Sequence, residues 1–313
     1  MREHLWAIVL AAGEGRRLVP LTERLYGAAR PKQFAVLDGE RSLVQRTIER
    51  LLPMIDTRRI AVVVPAEHEQ LARAQLTDWP DVHVVVQPVG RGTGPGILLP
   101  LAHVLEHDQD ATVCVVPSDH DVESPATLRG ALETAAGVAR SAPLVALGAR
   151  ATRAETEYGW MRVGADGGDH SRVRSFVEKP DAATAARLLE EGALWNTFIL
   201  VGRARRVWEQ AALRMPAAAE AIARCAPVAS ERSREMLAAA YASMEERNFS
   251  RDVLEHERDL AVVELSGAGW TDLGCPRRVR EALRASGRAV TSRLGAALDE
   301  IAAAMDAGVT ARA

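Results

Sequence analysis

Short runs of β-branched and aliphatic residues recur along the first half of the chain, separated by segments with helical periodicity. The apolar runs lie at residues 6–10, 60–64, 82–86, 112–116 and 144–147. The helical segments between them lie at 43–52, 67–76, 96–106 and 127–139. Nearly continuous apolar strands that alternate with helices are typical of a parallel sheet covered on both faces. The pattern therefore predicts an α/β fold with an open, mainly parallel sheet and helices on both faces.

The pattern loosens in the second half of the chain. Strand-like runs at 159–163, 173–177, 198–201 and 260–265 alternate with longer helical stretches around 182–191 and 204–247. From residue 277 onward Ala, Arg, Leu and Glu dominate, which favours helix. We therefore expect a main domain over residues 1–276 and a helical C-terminal tail over 277–313. No apolar run reaches the 18 or so residues that a membrane span needs.

Charge and composition exclude several classes of partner. The net charge is −3, from 39 basic and 42 acidic residues, which gives no strong field for nucleic acid or an anionic membrane. Aromatic residues make up only 4%, too few for a surface on which single-stranded nucleic acid stacks. Three cysteines without a signal peptide are typical of a reducing compartment. We expect a cytoplasmic protein that binds neither nucleic acid nor membrane.

Lysine is rare in this chain. Only Lys32 and Lys179 are lysine, so 37 of the 39 basic residues are arginine. An ammonium is a compact point charge on a flexible stem, whereas a guanidinium is a planar fork. The two positions are therefore candidates for contacts that arginine cannot make, such as those to the phosphates of a bound nucleotide.

A glycine-rich turn follows the first predicted strand, in the segment LAAGEGRRLVPLT at 10–22. Glycines after a strand let the backbone approach phosphates, and successive N–H groups form an anion-binding concavity. Leu18 stands where a dinucleotide fingerprint needs its third glycine, and no G-K-[ST] follows for a P-loop. The candidate nucleotide-binding residues of this turn are Ala11, Ala12, Gly13, Gly15, Arg16 and Arg17. The residues alone leave open a tight turn without a ligand.

Asp119 follows the fourth predicted strand, in PSDH at 117–120. Ligands of open α/β sheets bind beyond the carboxyl ends of the strands, so a carboxylate there is well placed to hold Mg²⁺. An aspartate that only caps a helix or closes a turn is the alternative that position alone leaves open.

Several motifs together resemble those of sugar-nucleotide pyrophosphorylases. The segment at 10–22 is similar to the family's G-x-G-T-R-L-x-P-L-T signature, and RPKQF at 30–34 resembles the P-K-Q-F of the mannose-1-phosphate guanylyltransferase branch. PSDH at 117–120, FVEKP at 176–180 and WTDLG at 270–274 resemble further motifs in the expected order. The resemblance covers about residues 5–280. It implies a Rossmann-like fold of the nucleotide-diphospho-sugar transferase type.

The resemblance also implies roles for individual residues. Arg17 and Lys32 would hold the triphosphate, and Asp119 and Asp272 would hold Mg²⁺ as the cofactor. The remaining candidates come from QPVGRGTGPG at 87–96 for the nucleotide base, and from YGW, FVEKP and WNTF for the sugar phosphate. They are Gln87, Arg91 and Thr93 for the base, and Gly159, Glu178, Lys179 and Asn196 for the sugar phosphate.

Several residues depart from the family pattern, among them glycines at two alanine positions of the segment at 87–96. Arg16 replaces the usual threonine, Gly92 an asparagine and Phe198 a glycine, while Ser250 stands where close guanylyltransferases carry an aspartate. The first two bear on the phosphates and the base, and Phe198 bears on the shape of the sugar pocket.

The implied activity is transfer of a nucleotidyl group from an NTP, with GTP as first choice, to a sugar 1-phosphate, with mannose 1-phosphate as first choice. The alternatives are another sugar and nucleotide pair, such as a heptose or glucose product, and a non-catalytic nucleotide-sugar-binding homologue. A small cytidylyltransferase of isoprenoid synthesis fits less well, since E-K-P and W-x-D-x-G are present. We expect no second enzymatic domain, and a monomer or homodimer.

One short motif has no place in this scheme. Residues 103–107 read HVLEH, an H-x-x-E-H pattern also found in zinc proteases. Its two histidines are four residues apart and share a helix face. No third ligand is evident from the sequence, so we interpret the pattern as a chance match.

Overall fold

The computed structural model describes residues 2–13, 15–164, 168–228, 230–287 and 290–306. Within these ranges the chain forms one sheet of nine strands. The strands are β1 (Leu5–Leu10), β2 (Ile60–Pro65), β3 (His83–Gln87), β4 (Thr112–Pro117), β5 (Leu144–Arg150), β6 (Gly159–Val163), β7 (Ser171–Glu178), β8 (Leu194–Arg203) and β9 (Leu260–Glu264). The helices are α1 (Val19–Tyr26), α2 (Leu43–Leu51), α3 (Glu69–Gln75), α4 (Thr93–His107), α5 (Pro125–Val138), α6 (Ala182–Glu190), α7 (Ala204–Arg214), α8 (Pro216–Cys225), α9 (Glu231–Ser243), α10 (Phe249–Asp252), α11 (Pro276–Ala285) and α12 (Ser292–Asp306).

The strand order across the sheet is β3-β2-β1-β4-β8-β5-β9-β7-β6. Strands β1 to β4 pair in parallel, as does β5 with β9. Strand β8 is antiparallel to both of its neighbours, β4 and β5, and β6 and β7 form an antiparallel hairpin. The parallel part is the part in which helices connect successive strands, because a parallel pair needs a long crossover. The predicted α/β class is confirmed, and the sheet is parallel mainly in the half built by the first four strands.

Both faces of the sheet are buried. Along β1, Leu5, Ala7 and Val9 face a cluster packed under α2 and α5. The alternate residues Trp6 and Ile8 face a second cluster, packed under α4, α7 and α8. This alternation follows from the period of two along a strand, and it explains why the central strands read as unbroken apolar runs.

The two C-terminal helices pack onto the helix that follows the glycine-rich turn. Leu21 and Leu25 of α1 share a buried cluster with Leu283 of α11 and Leu298 of α12. The predicted helical C-terminal segment is confirmed to residue 306, the end of the described part. The domain boundary at residue 276 stays a prediction.

Two predicted elements differ in extent from those observed. The strand predicted at 198–201 is the C-terminal part of β8, which begins at Leu194. A register shift in its pairing with β5 and a positive φ at Phe198 interrupt the alternation that marks a strand. The helical stretch predicted at 204–247 is divided into α7, α8 and α9, because Pro216 starts a new helix. Among the described helices, none combines the length and apolar character needed to cross a bilayer.

Candidate active site

A cavity of about 380 Å³ opens beside the carboxyl ends of β1 and β4. Open α/β sheets bind their ligands at this edge, beyond the carboxyl ends of the strands. Its lining residues are Leu10, Gly13, Gln33, Thr93, Pro117, Ser118, Asp119, His120, Glu157, Tyr158, Gly159, Glu178, Lys179, Asn196, Thr197, Phe198, Asn248, Ser250, Trp270 and Asp272. Motifs from the first and the second half of the chain therefore line one cavity.

The glycine-rich turn is held in place by the residue after Lys32. The side chain of Gln33 is buried, and its Nε2 donates to the carbonyl oxygens of Ala11 at 2.8 Å and Gly13 at 3.0 Å. Gly15 has φ 59°, and a Cβ there would lie 2.9 Å from the Cβ of Lys32. Both the left-handed backbone and the close approach require glycine at this position. The turn thus has a fixed shape before any ligand binds.

Lys32 lies between the two predicted metal ligands. Its Nζ is 3.0 Å from Oδ2 of Asp119 and also donates to the backbone carbonyl of Asp272. The lysine side chain is only 5% exposed, while that of Asp119 is 31% exposed towards the cavity. The structure therefore brings together three of the predicted catalytic residues.

Both carboxyl groups are ionised at neutral pH. Burial favours the neutral acid of Asp119, but the charge of Lys32 and the neighbouring His120 outweigh it and lower its pKa. Burial is likewise outweighed at Asp272, where His120, Lys32 and Arg278 lower the pKa to about 2. These two ionised carboxylates form the anionic corner of the cavity, and Lys32 and Arg278 offset most of their charge.

The orientation of Asp272 is set by three donors on one oxygen. Its Oδ1 accepts from the Tyr158 hydroxyl at 2.7 Å, the Gly274 N–H at 2.9 Å and Nη1 of Arg278 at 2.7 Å. The same Nη1 is 2.8 Å from Oδ2, and Nη2 of Arg278 donates to Glu155. Oδ2 has fewer donors than Oδ1, so it is the oxygen with capacity left for another ligand.

His120 is a neutral member of the same corner. Burial lowers the pKa of its imidazole even though Asp119 opposes this, with Nε2 of the ring 3.7 Å from Oδ1 of Asp119. The indole Nε1 of Trp270 lies 3.2 Å from its Nδ1. Since the indole can only donate, Nδ1 accepts and the proton is on Nε2, on the side of Asp119.

The predicted sugar-phosphate residues form the opposite wall. A Cβ at Gly159 would lie 2.8 Å from both Oε2 of Glu178 and Cζ of the buried Phe176, so a larger residue would displace these side chains. Burial raises the pKa of Glu178, partly offset by the neighbouring charge of Lys179, which is exposed. Asn196 is buried, and its Oδ1 accepts from the backbone N–H of Phe198 at 3.0 Å.

Two of the departures from the family pattern lie in this wall. Phe198 has φ 58°, in the left-handed region that favours glycine, and its side chain lines the cavity. Ser250 is buried beside Glu178, whose carboxyl it stabilises through a hydrogen bond. An aromatic ring therefore occupies space that a glycine would leave open, and a hydroxyl is present where close guanylyltransferases carry a carboxylate.

The loop at 87–96 reaches the cavity through one side chain only. Thr93 lines the cavity, and its Oγ1 accepts from the Phe249 N–H at 2.9 Å. Arg91, predicted to approach the base, instead donates to the carbonyl oxygens of Tyr241 at 2.7 Å and Ala242 at 2.9 Å. Its guanidinium is committed to α9, so the structure does not bring this side chain to the cavity. Gln87 is buried, and its Oε1 has no hydrogen-bond partner among the described residues.

The predicted residues thus separate into three groups by position. The cavity is lined by Gly13, Thr93, Asp119, Gly159, Glu178, Lys179, Asn196 and Asp272. Next to the cavity, Nη1 of Arg17 lies 3.0 Å from Oε2 of the lining residue Glu157, and Lys32, Ala11 and Gly15 contact lining residues or one another. Ala12 and Arg16 are their neighbours in the same turn and do not line the cavity. Gln87 and Arg91 do not line it.

Three residues of the site were not among the predictions. Gln33 and Tyr158 lie next to Lys32 and Gly159, which the motifs predicted as site residues. Their polar side chains in these motifs could have indicated a role in the site. Arg278 belongs to an amphipathic helix rich in arginine, and nothing in its local sequence separates it from Arg277 or Arg280. Only the packing of α11 shows that one of these arginines is buried.

An anionic corner with a lysine, a glycine-rich turn and a polar recess at the carboxyl edge of a parallel sheet define an α/β nucleotide-binding protein. The nucleotidyl transferase family matches residues 6–287, and the chain belongs to this family. The predicted family is confirmed.

Curated relatives of the chain include proteins named for xanthan biosynthesis and proteins named mannose-1-phosphate guanylyltransferase. The xanthan biosynthesis protein XanB of Xanthomonas campestris pv. campestris (strain B100) is 35% identical over 274 residues, which are 85% of this chain and 57% of that protein. A mannose-1-phosphate guanylyltransferase of Salmonella muenchen is 32% identical over 277 residues, 85% of this chain and 57% of that one. The chain therefore spans little more than half the length of these relatives.

Solved structures agree with the fold. A crystal structure from Thermus thermophilus, described as a mannose-1-phosphate geranyltransferase, has a TM-score of 0.79 and 31% identity, and covers 90% of this chain and 79% of that one. An inositol-1-phosphate CTP transferase from T. maritima has a TM-score of 0.57 and 17% identity, covering 92% of this chain and 98% of that one. The second likeness concerns the fold alone. The predicted nucleotide-diphospho-sugar transferase type is confirmed.

Proposed function

We propose that the protein transfers a nucleotidyl group from an NTP to a sugar 1-phosphate, forming an NDP-sugar and pyrophosphate. GTP and mannose 1-phosphate are the first choice, supported by the P-K-Q-F and P-S-D-H motifs and by the relatives named guanylyltransferases. One observation carries the proposal. A single cavity joins the anionic pair Asp119 and Asp272 to Lys179, the second of the two lysines.

The donor set of the anionic corner fits Mg²⁺. Mg²⁺ prefers oxygen ligands and is commonly held by one or two carboxylates together with substrate phosphates. Asp119 and Asp272 are both ionised, and Oδ2 of Asp272 retains capacity for another ligand. A bound Mg²⁺ would neutralise charge on the phosphate oxygens of the nucleotide.

The chemistry requires positioning and charge neutralisation. A phosphate oxygen of the sugar 1-phosphate forms a bond to the α-phosphorus of the NTP, and the bond from that phosphorus to the oxygen of the departing pyrophosphate breaks. We assign the triphosphate to the amides of the glycine-rich turn, Arg17 and Lys32. Lys179 orients the incoming sugar phosphate, while Glu178 and Asn196 contact sugar hydroxyls. In the free protein, Lys32 neutralises Asp119.

Base contacts in the loop at 87–96 are assigned to Thr93, which lines the cavity. The guanidinium of Arg91 is held by backbone carbonyls of α9, and the buried Gln87 does not line the cavity, so neither of these two side chains is assigned to the base.

The decisive assay measures pyrophosphate release over a panel of nucleoside triphosphates and sugar 1-phosphates with Mg²⁺. We expect the highest kcat/KM for GTP with mannose 1-phosphate. A higher value for a heptose or glucose 1-phosphate, or for another nucleotide, would reassign the substrates. Absence of turnover with every pair, together with tight NDP-sugar binding, would refute the enzymatic proposal and identify a binding protein.

The metal assignment has a matched pair of variants at the two ends of β4. Asp119→Asn should lower kcat by at least about 100-fold, since charge stabilisation of this kind contributes several kcal/mol. Asp110→Asn, an exposed aspartate before the other end of the strand, should leave the kinetics unchanged. Full activity in Asp119→Asn would disprove the assignment.

We place the reaction in the cytoplasm, with the chain acting as a monomer or homodimer. Cys114, Cys225 and Cys275 are free thiols, as expected in a reducing compartment. Light scattering coupled to size-exclusion chromatography decides the oligomeric state.

A further inference from the structure

Three histidines converge on the side of the sheet opposite to α2 and α5. His103 and His107 lie one turn apart on α4, and His83 begins the neighbouring edge strand β3. One ligand nitrogen from each ring lies within 4.8 Å of those of the other two. The ring centroids are 4.8 Å apart for His83 and His103, 5.1 Å for His83 and His107, and 4.3 Å for His103 and His107. The third ligand that the H-x-x-E-H pattern lacked in sequence is therefore supplied by the fold.

Backbone carbonyls fix the protonation of two of the rings. Nε2 of His83 lies 3.0 Å from the carbonyl oxygen of Arg58, and Nδ1 of His107 lies 2.8 Å from that of His103. A carbonyl can only accept, so these nitrogens carry the protons and the opposite nitrogens, Nδ1 of His83 and Nε2 of His107, present lone pairs. Metal-ligating histidines are typically oriented by such a bond from the second ring nitrogen.

The third ring has a buried nitrogen that the chain leaves unsatisfied. Nε2 of His103 is buried and has no hydrogen-bond partner among the described residues. Trp6 packs against the cluster, with ring centroids 5.7 Å from His83 and 5.9 Å from His107. The buried and unpartnered nitrogen of His103 is therefore available to a metal ion held by the other two rings.

We propose that His83, His103 and His107 form a binding site for one divalent transition-metal ion with affinity for imidazole, Zn²⁺ being the representative case. Three nitrogen ligands suit Zn²⁺, Ni²⁺ or Cu²⁺, whereas Mg²⁺ takes oxygen ligands. Around a tetrahedral Zn²⁺ the nitrogens are about 3.4 Å apart, so nitrogens that lie within 4.8 Å of one another must approach by at most about 1.4 Å. His83 and His107 are at the surface side of the cluster and have the freedom to make this adjustment.

The site is separate from the proposed catalytic corner. His103 is ten residues along α4 from Thr93, which lines the cavity, a distance of about 15 Å at the helical rise of 1.5 Å per residue. Strand β3 is the outermost strand at this edge of the sheet. A metal ion held by β3 and α4 together would fasten the edge strand to the helix that covers it, so its role is structural.

The test uses the full-length protein after a chelator has removed bound metal. Millimolar Mg²⁺ is kept in the buffer so that it occupies sites built from oxygen ligands, such as the one proposed at Asp119 and Asp272. Titration calorimetry with Zn²⁺ should give one equivalent of tight binding, and 100 Kd of Zn²⁺ should raise Tm by about 4 °C. Co²⁺ loaded in place of Zn²⁺ should give the intense visible bands of a four-coordinate ion.

His83→Gln and His107→Gln each remove one ligand near the surface, and both variants should fold, as circular dichroism checks. Each should weaken Zn²⁺ binding by at least about tenfold and, at the same Zn²⁺ concentration, reduce the gain in Tm by about half or more. His256→Gln, an exposed histidine elsewhere, is the control and should bind Zn²⁺ like the parent. Equal Zn²⁺ affinity in the parent and in both ligand variants, or no tight equivalent in the parent, would overturn the proposal.

Discussion

Nη1 of Arg278 lies 2.7 Å from Oδ1 and 2.8 Å from Oδ2 of Asp272, so a single guanidinium nitrogen contacts both oxygens of the carboxylate. The arginine is 4% exposed, and its second terminal nitrogen donates to Glu155. A single buried cation therefore pairs with two carboxylates, and it fixes the orientation of the one that we assign to the metal.

Replacing Arg278 by methionine should destabilise the protein strongly. Breaking a buried ion pair by removing one partner costs about 3–5 kcal/mol, because Asp272 loses its ion-pair partner and Glu155 keeps only its contact with Arg153. Urea unfolding monitored by circular dichroism measures the free energy of unfolding. Arg277→Met is the matched control, since that exposed arginine pairs with the exposed Glu281 and its loss should cost under about 1 kcal/mol. Equal effects of the two substitutions would contradict the structural role of Arg278.

The two lysines should not tolerate arginine. Lys32 is enclosed by Asp119, the carbonyl of Asp272 and the backbone of Gly15, so a wider guanidinium does not fit. We expect Lys32→Arg to lower kcat by about 100-fold, and steady-state pyrophosphate release measures it. Lys179→Arg, on the exposed side, should chiefly raise KM for the sugar 1-phosphate, by about tenfold.

The control for the lysine substitutions is the reverse exchange at a surface position. Arg73→Lys, in an exposed ion pair with Glu69, should keep the parent kinetics. Near-normal kinetics in both Lys32→Arg and Lys179→Arg would refute the phosphate contacts assigned to the two lysines.

Phe198 allows the cost of its backbone conformation to be measured directly. Phe198→Ala and Phe198→Gly both remove the ring, but only glycine adopts φ 58° without steric strain. We expect the glycine variant to be more stable than the alanine variant by about 1 kcal/mol, the reverse of the usual order. Thermal and urea unfolding of the pair measure this difference. A glycine variant less stable than the alanine variant would contradict the left-handed conformation.

The same pair of variants also tests the shape of the sugar pocket. Phe198 lines the cavity, so removal of its ring should widen the range of sugar 1-phosphates accepted and raise KM for the preferred one. An unchanged preference in both variants would place the ring outside the path of the sugar.

Acid should destabilise the protein partly through Asp272. Its folded-state pKa of about 2 lies below the ordinary 3.8, so on acidification the unfolded chain takes up this proton first. The contribution is therefore fully present above pH 4 or so, and about 2 kcal/mol is lost as the pH falls from about 4 to about 2. Urea unfolding at several pH values, without Mg²⁺, should show that the free energy of unfolding of Asp272→Asn falls less steeply between about pH 4 and pH 2 than that of the parent. Asp259→Asn, at an exposed ion pair, should keep the parent slope.

The sequence predicts the framework of the protein better than its interior contacts. The central strands are buried on both faces and read as apolar runs, and the place of Asp119 after such a strand makes it a candidate ligand beside the alternative of a capping aspartate. Asp272 is different, because no local pattern indicates that it faces Asp119. Only the resemblance to a family implied the pair, and only the folded chain shows Lys32 between them.

Contacts that depend on the packing of distant segments escape sequence analysis. Arg91 has a side chain suited to ligand binding, yet its guanidinium donates hydrogen bonds to backbone carbonyls near the end of α9. His83 reads as the start of a strand, and its position beside His103 follows from the packing of α4 over β3. In each case the deciding partner is far away in the chain and is backbone or an ordinary side chain, so no motif records it.

The burial of Arg278 has a consequence for how the protein can be cut or joined to others. This arginine is the second residue beyond the predicted boundary at 276, in a helix that shares its apolar contacts with α1 and α12. Shortening the chain to residue 276 would leave Asp272 and Glu155 without their shared cation and would uncover α1, next to the phosphate-binding turn. A fusion partner is therefore best attached beyond α12, since α11 and α12 contribute buried contacts that support the site.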